Sequence, residues 1–195
     1  TVTQVDENRK PIPETSEYID CDTLVLSVGL IPENELSLEA GVIIDSVTQG
    51  PVVDNNRQTS VPGVYACGNV VHVHDLVDNV TEEARITGKS AAESILQENK
   101  FNAEDINIIK TVPEKGVRYI VPQRINSSFT EESIGLFFRV DAIYENKVIN
   151  VMLDHKIILS RKKNKLLPGE MEHLKLSKKL FTNIHNDSVL TISVQ

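Results

Sequence analysis

At 195 residues, 40% hydrophobic and 25% charged, the chain has an ordinary globular composition, with room for one large domain or two small ones. Its net charge of −8 argues against nucleic acid and anionic membranes as partners, and no apolar run is long enough for membrane insertion. Cys21 and Cys67 belong to no C-x-x-C pair and lie in or beside apolar runs, which suits buried reduced thiols in a cytoplasmic protein rather than a redox disulfide.

The chain opens T-V-T-Q-V-D, read as a strand of a hairpin turning at residues 7–10, with no initiator methionine. D-T-L-V-L-S-V-G-L-I-P follows at 22–32. Its apolar stretch, 23–28, predicts a buried strand closed by Gly29 and Pro32, and Asn34-Glu35-Leu36 begins a short helix. Ala40-Gly41-Val42 and Gly50-Pro51-Val52-Val53-Asp54 frame a small hairpin. Residues 59–69, T-S-V-P-G-V-Y-A-C-G-N, then combine a Val61-Pro62-Gly63 turn, a four-residue apolar strand and a glycine stop carrying Asn69. In open α/β sheets the carboxyl ends of strands face the ligand crevice, so Gly68 and Asn69 are candidate binding positions.

A helix is predicted behind this loop. Asp75, Asp78 and Thr81 are its candidate N-caps, Glu82 and Glu83 suit the positive end of its dipole, and Ala84, Thr87, Gly88, Ala91, Ala92, Ile95 and Leu96 trace a small apolar face. His72 and His74 alternate along an extended segment and share a face, a geometry open to metal chelation. Two ligands without a third nearby make a poor site, so no metal is expected.

Residues 59–69 resemble the second flavin-binding motif of the FAD-dependent pyridine nucleotide-disulfide oxidoreductases, T-x-x-x-G-h-[YF]-A-x-G-D with h apolar. Thr59, Gly63, Tyr65, Ala66 and Gly68 fall in place, and Asn69 stands where that family has aspartate. Residues 22–32 resemble the motif that leads the chain of such enzymes from the NAD-binding to the FAD-binding domain. The H-V-H-D string is similar to a loop of the opine-oxidase, hydrogen-cyanide-synthase and sarcosine-oxidase flavoprotein subunits. The resemblance covers residues 1–100 and implies FAD as cofactor, with NAD(P) in the full-length protein. Gly68 and Asn69 would meet the ribityl side of the flavin; Asn79, Val80 and Thr81 would meet its pyrimidine edge through backbone N–H groups. An amide accepts the ribityl hydrogen bond with less charge assistance than a carboxylate, so weaker but retained binding is implied. The histidines would line the flavin pocket, as proton donor or as loop-shaping groups.

No G-x-G-x-x-G fingerprint occurs, so the pyrophosphate cradles of FAD and NAD(P) are not expected in these residues, and the piece alone is expected to be inactive. A polar linker over 98–105 leads to a second region, 101–195, with short strands predicted at 106–112, 117–121, 134–140, 148–153, 156–159, 171–176 and 189–194. A helix is expected only at 177–181, and Arg161-Lys162-Lys163-Asn164-Lys165 reads as a solvated loop. This spacing suggests an antiparallel sandwich, with Phe129, Phe137, Phe138, Tyr144 and Phe181 as core or half-buried aromatics. The fold expected is thus a partial α/β Rossmann-like region, 1–100, followed by an all-β sandwich-like domain, 101–195. Two functions fit. One is a piece of a flavin-dependent oxidoreductase that moves hydride or electrons between NAD(P)H or a small-molecule substrate and FAD, with no catalytic side chain of its own here. The other is a non-enzymatic module that docks a partner subunit of a dehydrogenase complex. The partners expected are a small-molecule substrate and either a partner subunit or, as a homo-oligomer, further copies of the chain.

Overall fold

The computed structural model describes residues 1–8, 10–27, 29–96, 107–181, 184–185 and 187–195. The expected linker and the start of the second region lie outside the described residues. The regular elements are α1 (Glu35–Glu39), α2 (Val77–Leu96), β1 (Ile108–Pro113), β2 (Val117–Val121), β3 (Arg124–Asn126), β4 (Ser133–Val140), β5 (Tyr144–Leu153), β6 (Lys156–Leu166), β7 (Glu172–Ser177) and β8 (Val189–Val194). Single-turn 3-10 helices stand at Pro13–Thr15, Gly68–Val70 and Lys178–Leu180. The chain is sheet-rich, and among the described residues its strands fall in the second half.

Those strands form two sheets, of order β3-β1-β8-β5-β6 and β2-β4-β7. The pairings are antiparallel except β1 with β8, which run parallel because β8 enters the sheet from the far end of the chain rather than by a hairpin. Alternation explains the packing. Along β4, Ile134, Leu136, Phe138 and Val140 point into one core with Ile109, Ile149, Leu174 and Ile192, while Phe137 and Arg139 face the first half of the chain. In β2 the register shifts between Val117 and Tyr119. Val117 and Ile120 therefore serve the main core, whereas Tyr119 and Val121 close a second, smaller core over Val53 and Val71. Phe129 joins the main core, with Tyr144 and Phe181 packed against its rim.

The charge run at 161–165 is strand, not loop: it lies within β6, at the edge of the five-stranded sheet, where lysines are tolerated because one side meets water. The helix expected at 177–181 is only the 3-10 turn at Lys178–Leu180.

The first half differs more from expectation. Residues 23–27 form no strand and are exposed, with Leu24 at 75% and Val25 at 83%; Val28 lies outside the described residues. A buried strand needs neighbours on both edges, and none of the described residues pairs with this run. The opening hairpin forms as bridges Val2 to Glu17 and Val5 to Pro11, and the next hairpin as Ile44 to Pro51. Residues 64–67 are half-buried or exposed and bridge only at Tyr65 to Gln58, short of the fully buried strand expected.

Candidate functional site

The loop after Cys67 turns on Gly68, whose φ of +73° favours glycine. Space reinforces the choice, since a Cβ there would stand 3.2 Å from Val80 Cγ1 on α2. The loop and the first turns of the helix therefore touch, and the five candidate positions, Gly68, Asn69, Asn79, Val80 and Thr81, fall on two adjoining segments. From the other side, Asn34 donates its amide to the carbonyls of Gln49 (2.8 Å) and Val70 (3.0 Å). Gly50 is packed so closely that a Cβ would fall 1.9 Å from the Val71 carbonyl oxygen.

Asn69 is exposed, and its Oδ1 accepts the His74 N–H at 3.1 Å. An amide oxygen has a second lone pair, so this bond shapes the loop without exhausting the acceptor. Asn79 and Val80 are half-buried. Thr81 is not a cap: it is the fifth residue of α2, and its hydroxyl donates back to the Val77 carbonyl at 3.1 Å. Asp78 lies in the first turn, where a carboxylate complements the dipole. Asp75 serves elsewhere, bonded to the Arg139 guanidinium and to the Met171 N–H (2.6 Å). At the amino end of the helix, Leu76 and Val77 are 63% and 75% exposed.

The histidines do not line an open pocket. His72 and His74 are 1% and 8% exposed and turn inward to Glu83, itself 1% exposed. His72 Nε2 lies 3.2 Å from Glu83 Oε1, and Arg57 Nη2 lies 3.0 Å from the same oxygen. The Gly68 N–H donates to Oε2 at 2.8 Å, with His74 Nε2 3.0 Å from that oxygen but outside hydrogen-bond angles. Phe137 of β4 closes the cluster, its ring centroid 5.6 Å from His72 and 5.4 Å from His74.

Burial pushes the Glu83 carboxyl up, yet the contacts from His72 and His74 and the Arg57 charge outweigh it and hold the group far below the usual carboxylate range. Burial lowers His72 below its ordinary value, with Glu83 opposing. His72, His74 and Glu83 bring one ligand atom each within 4.8 Å of one another, the third ligand that the histidine pair lacked in sequence. The Arg57 guanidinium on Oε1 already neutralises the carboxylate, and a dication there would meet that buried positive charge. The arrangement is chemically a carboxylate hub.

Arg57, Glu83 and Arg139 were not among the candidate residues. A signal for Glu83 exists: it falls one helical turn from Val80 and from Thr87, on the stripe that must pack inward, where an acid needs buried partners. Arg57 carries no comparable mark, because its burial depends on a loop with positive φ (63°) folding under α2.

Residues 1–90 match the family model of pyridine nucleotide-disulphide oxidoreductases. Over 103 residues the chain is 33% identical to a dihydrolipoyl dehydrogenase of Manduca sexta, covering 51% of this chain and 20% of the relative. It is 26% identical over 137 residues to a nitrite reductase [NAD(P)H] of Bacillus subtilis, covering 67% and 16%, and 31% identical over 87 residues to a rubredoxin-NAD(+) reductase of Pseudomonas putida, covering 40% and 22%. Residues 1–90, a little under half of the chain, are thus similar to the pyridine nucleotide-disulphide oxidoreductases. The chain spans about a fifth of the length of the dihydrolipoyl dehydrogenase it matches. No helix among the described residues is long and apolar enough to cross a membrane.

Proposed function

We propose that the chain builds one wall of an FAD site in an oxidoreductase that moves hydride or electrons between NAD(P)H or a small organic substrate and the flavin. The observation that carries this reading is the seating of Gly68, at φ +73°, against Val80 of α2, which sets the motif loop beside an uncovered helix amino end. FAD, when bound, supplies the redox chemistry. The chain's own residues orient and polarise. Asn79, Val80 and Thr81 stand in the first turns of α2, where the helix dipole favours negative charge at the flavin edge. The Asn79 N–H is bonded to the Leu76 carbonyl at 3.2 Å and that of Thr81 lies within the helix, so these positions act through the dipole, while Asn69 offers its amide to a ribityl hydroxyl. No side chain of this stretch is assigned a proton-transfer role.

Exposed apolar side chains at Leu24, Val25, Ile31, Leu36, Ile95 and Leu96 support the same reading, since they mark faces that other parts of such an enzyme would cover. For this reason the isolated chain is expected to be inactive. The second half, 101–195, reads as a sandwich-like structural domain; its contacts to the motif loop through Arg139, Asp75 and Met171 favour a bracing role over a free docking module.

Purification of the full-length protein tests the proposal: it should be yellow, with flavin absorbance. Asn69→Ala should lower flavin occupancy and Asn69→Asp should retain or raise it. A colourless protein that brings down a dehydrogenase subunit would instead favour the docking module, and two Asn69 variants as yellow as wild type would remove Asn69 from the contacts.

A further inference from the structure

We infer that Glu83 is the positioning residue of the flavin-facing loop: its buried carboxylate locks Gly68 to α2 and to Arg57, so the cradle is set before any cofactor arrives. The inference rests on the flavin reading of that loop.

Glu83 sits two residues beyond Thr81 on α2, the helix whose amino end carries three of the candidate contacts. Its Oε2 holds the Gly68 N–H at 2.8 Å, and its Oε1 holds Arg57 and His72. One carboxylate thus fixes three backbone segments, around Arg57, around Gly68 to His74, and along α2. The far end of the same loop is tied by Asp75 to Arg139 and to the Met171 N–H, and its middle by Asn69 Oδ1 to the His74 N–H. A loop tied at both ends and across the middle has little conformational entropy left to lose on binding, which is how preorganisation raises affinity. Glu83 is 1% exposed, so its hydrogen bonds act in a low-dielectric setting where they are strong.

The neutral alternative is that the cluster only holds the fold together, and the test separates the two. In the full-length apoprotein, FAD binding is followed by fluorescence quenching for wild type, Glu83→Gln, and the double variant Arg57→Met with Glu83→Gln. The single variant strands the Arg57 charge and should be unstable. The double variant removes both charges and should melt near wild type, yet bind FAD about tenfold more weakly, because the Gly68 N–H then meets an amide oxygen without charge assistance. A double variant that binds FAD as tightly as wild type overturns the inference. A measurement on wild type alone gives the same decision without any variant: the Gly68 amide should exchange slowly already in apoprotein, and free exchange there, with protection only after FAD, also overturns it. Wild-type apoprotein that takes up no FAD sinks the flavin reading itself, whatever the Gly68 amide does.

Discussion

The two halves of the chain treat apolar side chains in opposite ways. Leu136, Leu174, Leu190 and Ile192 are fully buried between the two sheets, while Leu24, Val25, Ile31 and Leu36, of the same chemical kind, stand more than 70% exposed. Burying such a side chain is worth about 1.5–3 kcal/mol, so the second half stabilises itself and the first half leaves that stabilisation unrealised. In the first half, order is concentrated at two places: the polar cluster of Glu83 with Arg57, His72 and His74, and the apolar seam where Val53 and Val71 meet Tyr119 and Val121. The second half is a scaffold; the first is a surface shaped against it.

The comparison can be broken most sharply in the scaffold. Phe138→Ala should destabilise the chain by about 3–5 kcal/mol, because Phe138 is fully buried in the main core; chemical denaturation followed by circular dichroism measures it. A loss under about 1 kcal/mol would mean that the sheets do not close on one another as described. In the first half, Thr81→Pro should cost about 3 kcal/mol, since residue 81 lies one turn inside α2 and proline there clashes with the Val77 carbonyl. A well-tolerated proline would move the helix start towards Thr81, and thermal melting decides between them.

The Glu83 cluster gives the smallest and most graded effect, with acid. The folded-state pKa of His72 lies below its ordinary value of 6.5, so the folded protein binds fewer protons there than the unfolded chain does. Its contribution is present above pH 6.5 and is lost as pH falls below it. Glu83, held far below its ordinary 4.5, adds a second loss as pH falls under that value. Melting temperature against pH should therefore decline in two stages from neutral to acid, and a profile flat between pH 7 and 5 would show that His72 is not buried against Arg57 and Glu83.

The strands at 117–121 and 189–194 coincide with β2 and β8 as read from alternation and turn residues, because each strand's burial pattern is written in its own residues. β3, three residues from Arg124 to Asn126, carries too short a pattern to register in the sequence. β6 was read to 159 instead of Leu166, since charge at a sheet edge looks locally like charge in a loop. The glycines of the flavin motif were legible at 63 and 68 because backbone conformation demands them, and both have positive φ.

What local chemistry decides, then, is visible along the chain: turns that need glycine, strands that alternate, a helix that repeats every three or four residues, and a motif whose spacing is its meaning. What the fold alone decides is which charges lose their water. Arg57 and Glu83 stand 26 positions apart on a loop and a helix; the helix stripe marks Glu83 as inward-facing, but nothing in the loop announces that the Arg57 guanidinium will share its buried site. Desolvation is a property of the surroundings, and the surroundings come from three remote pieces of chain.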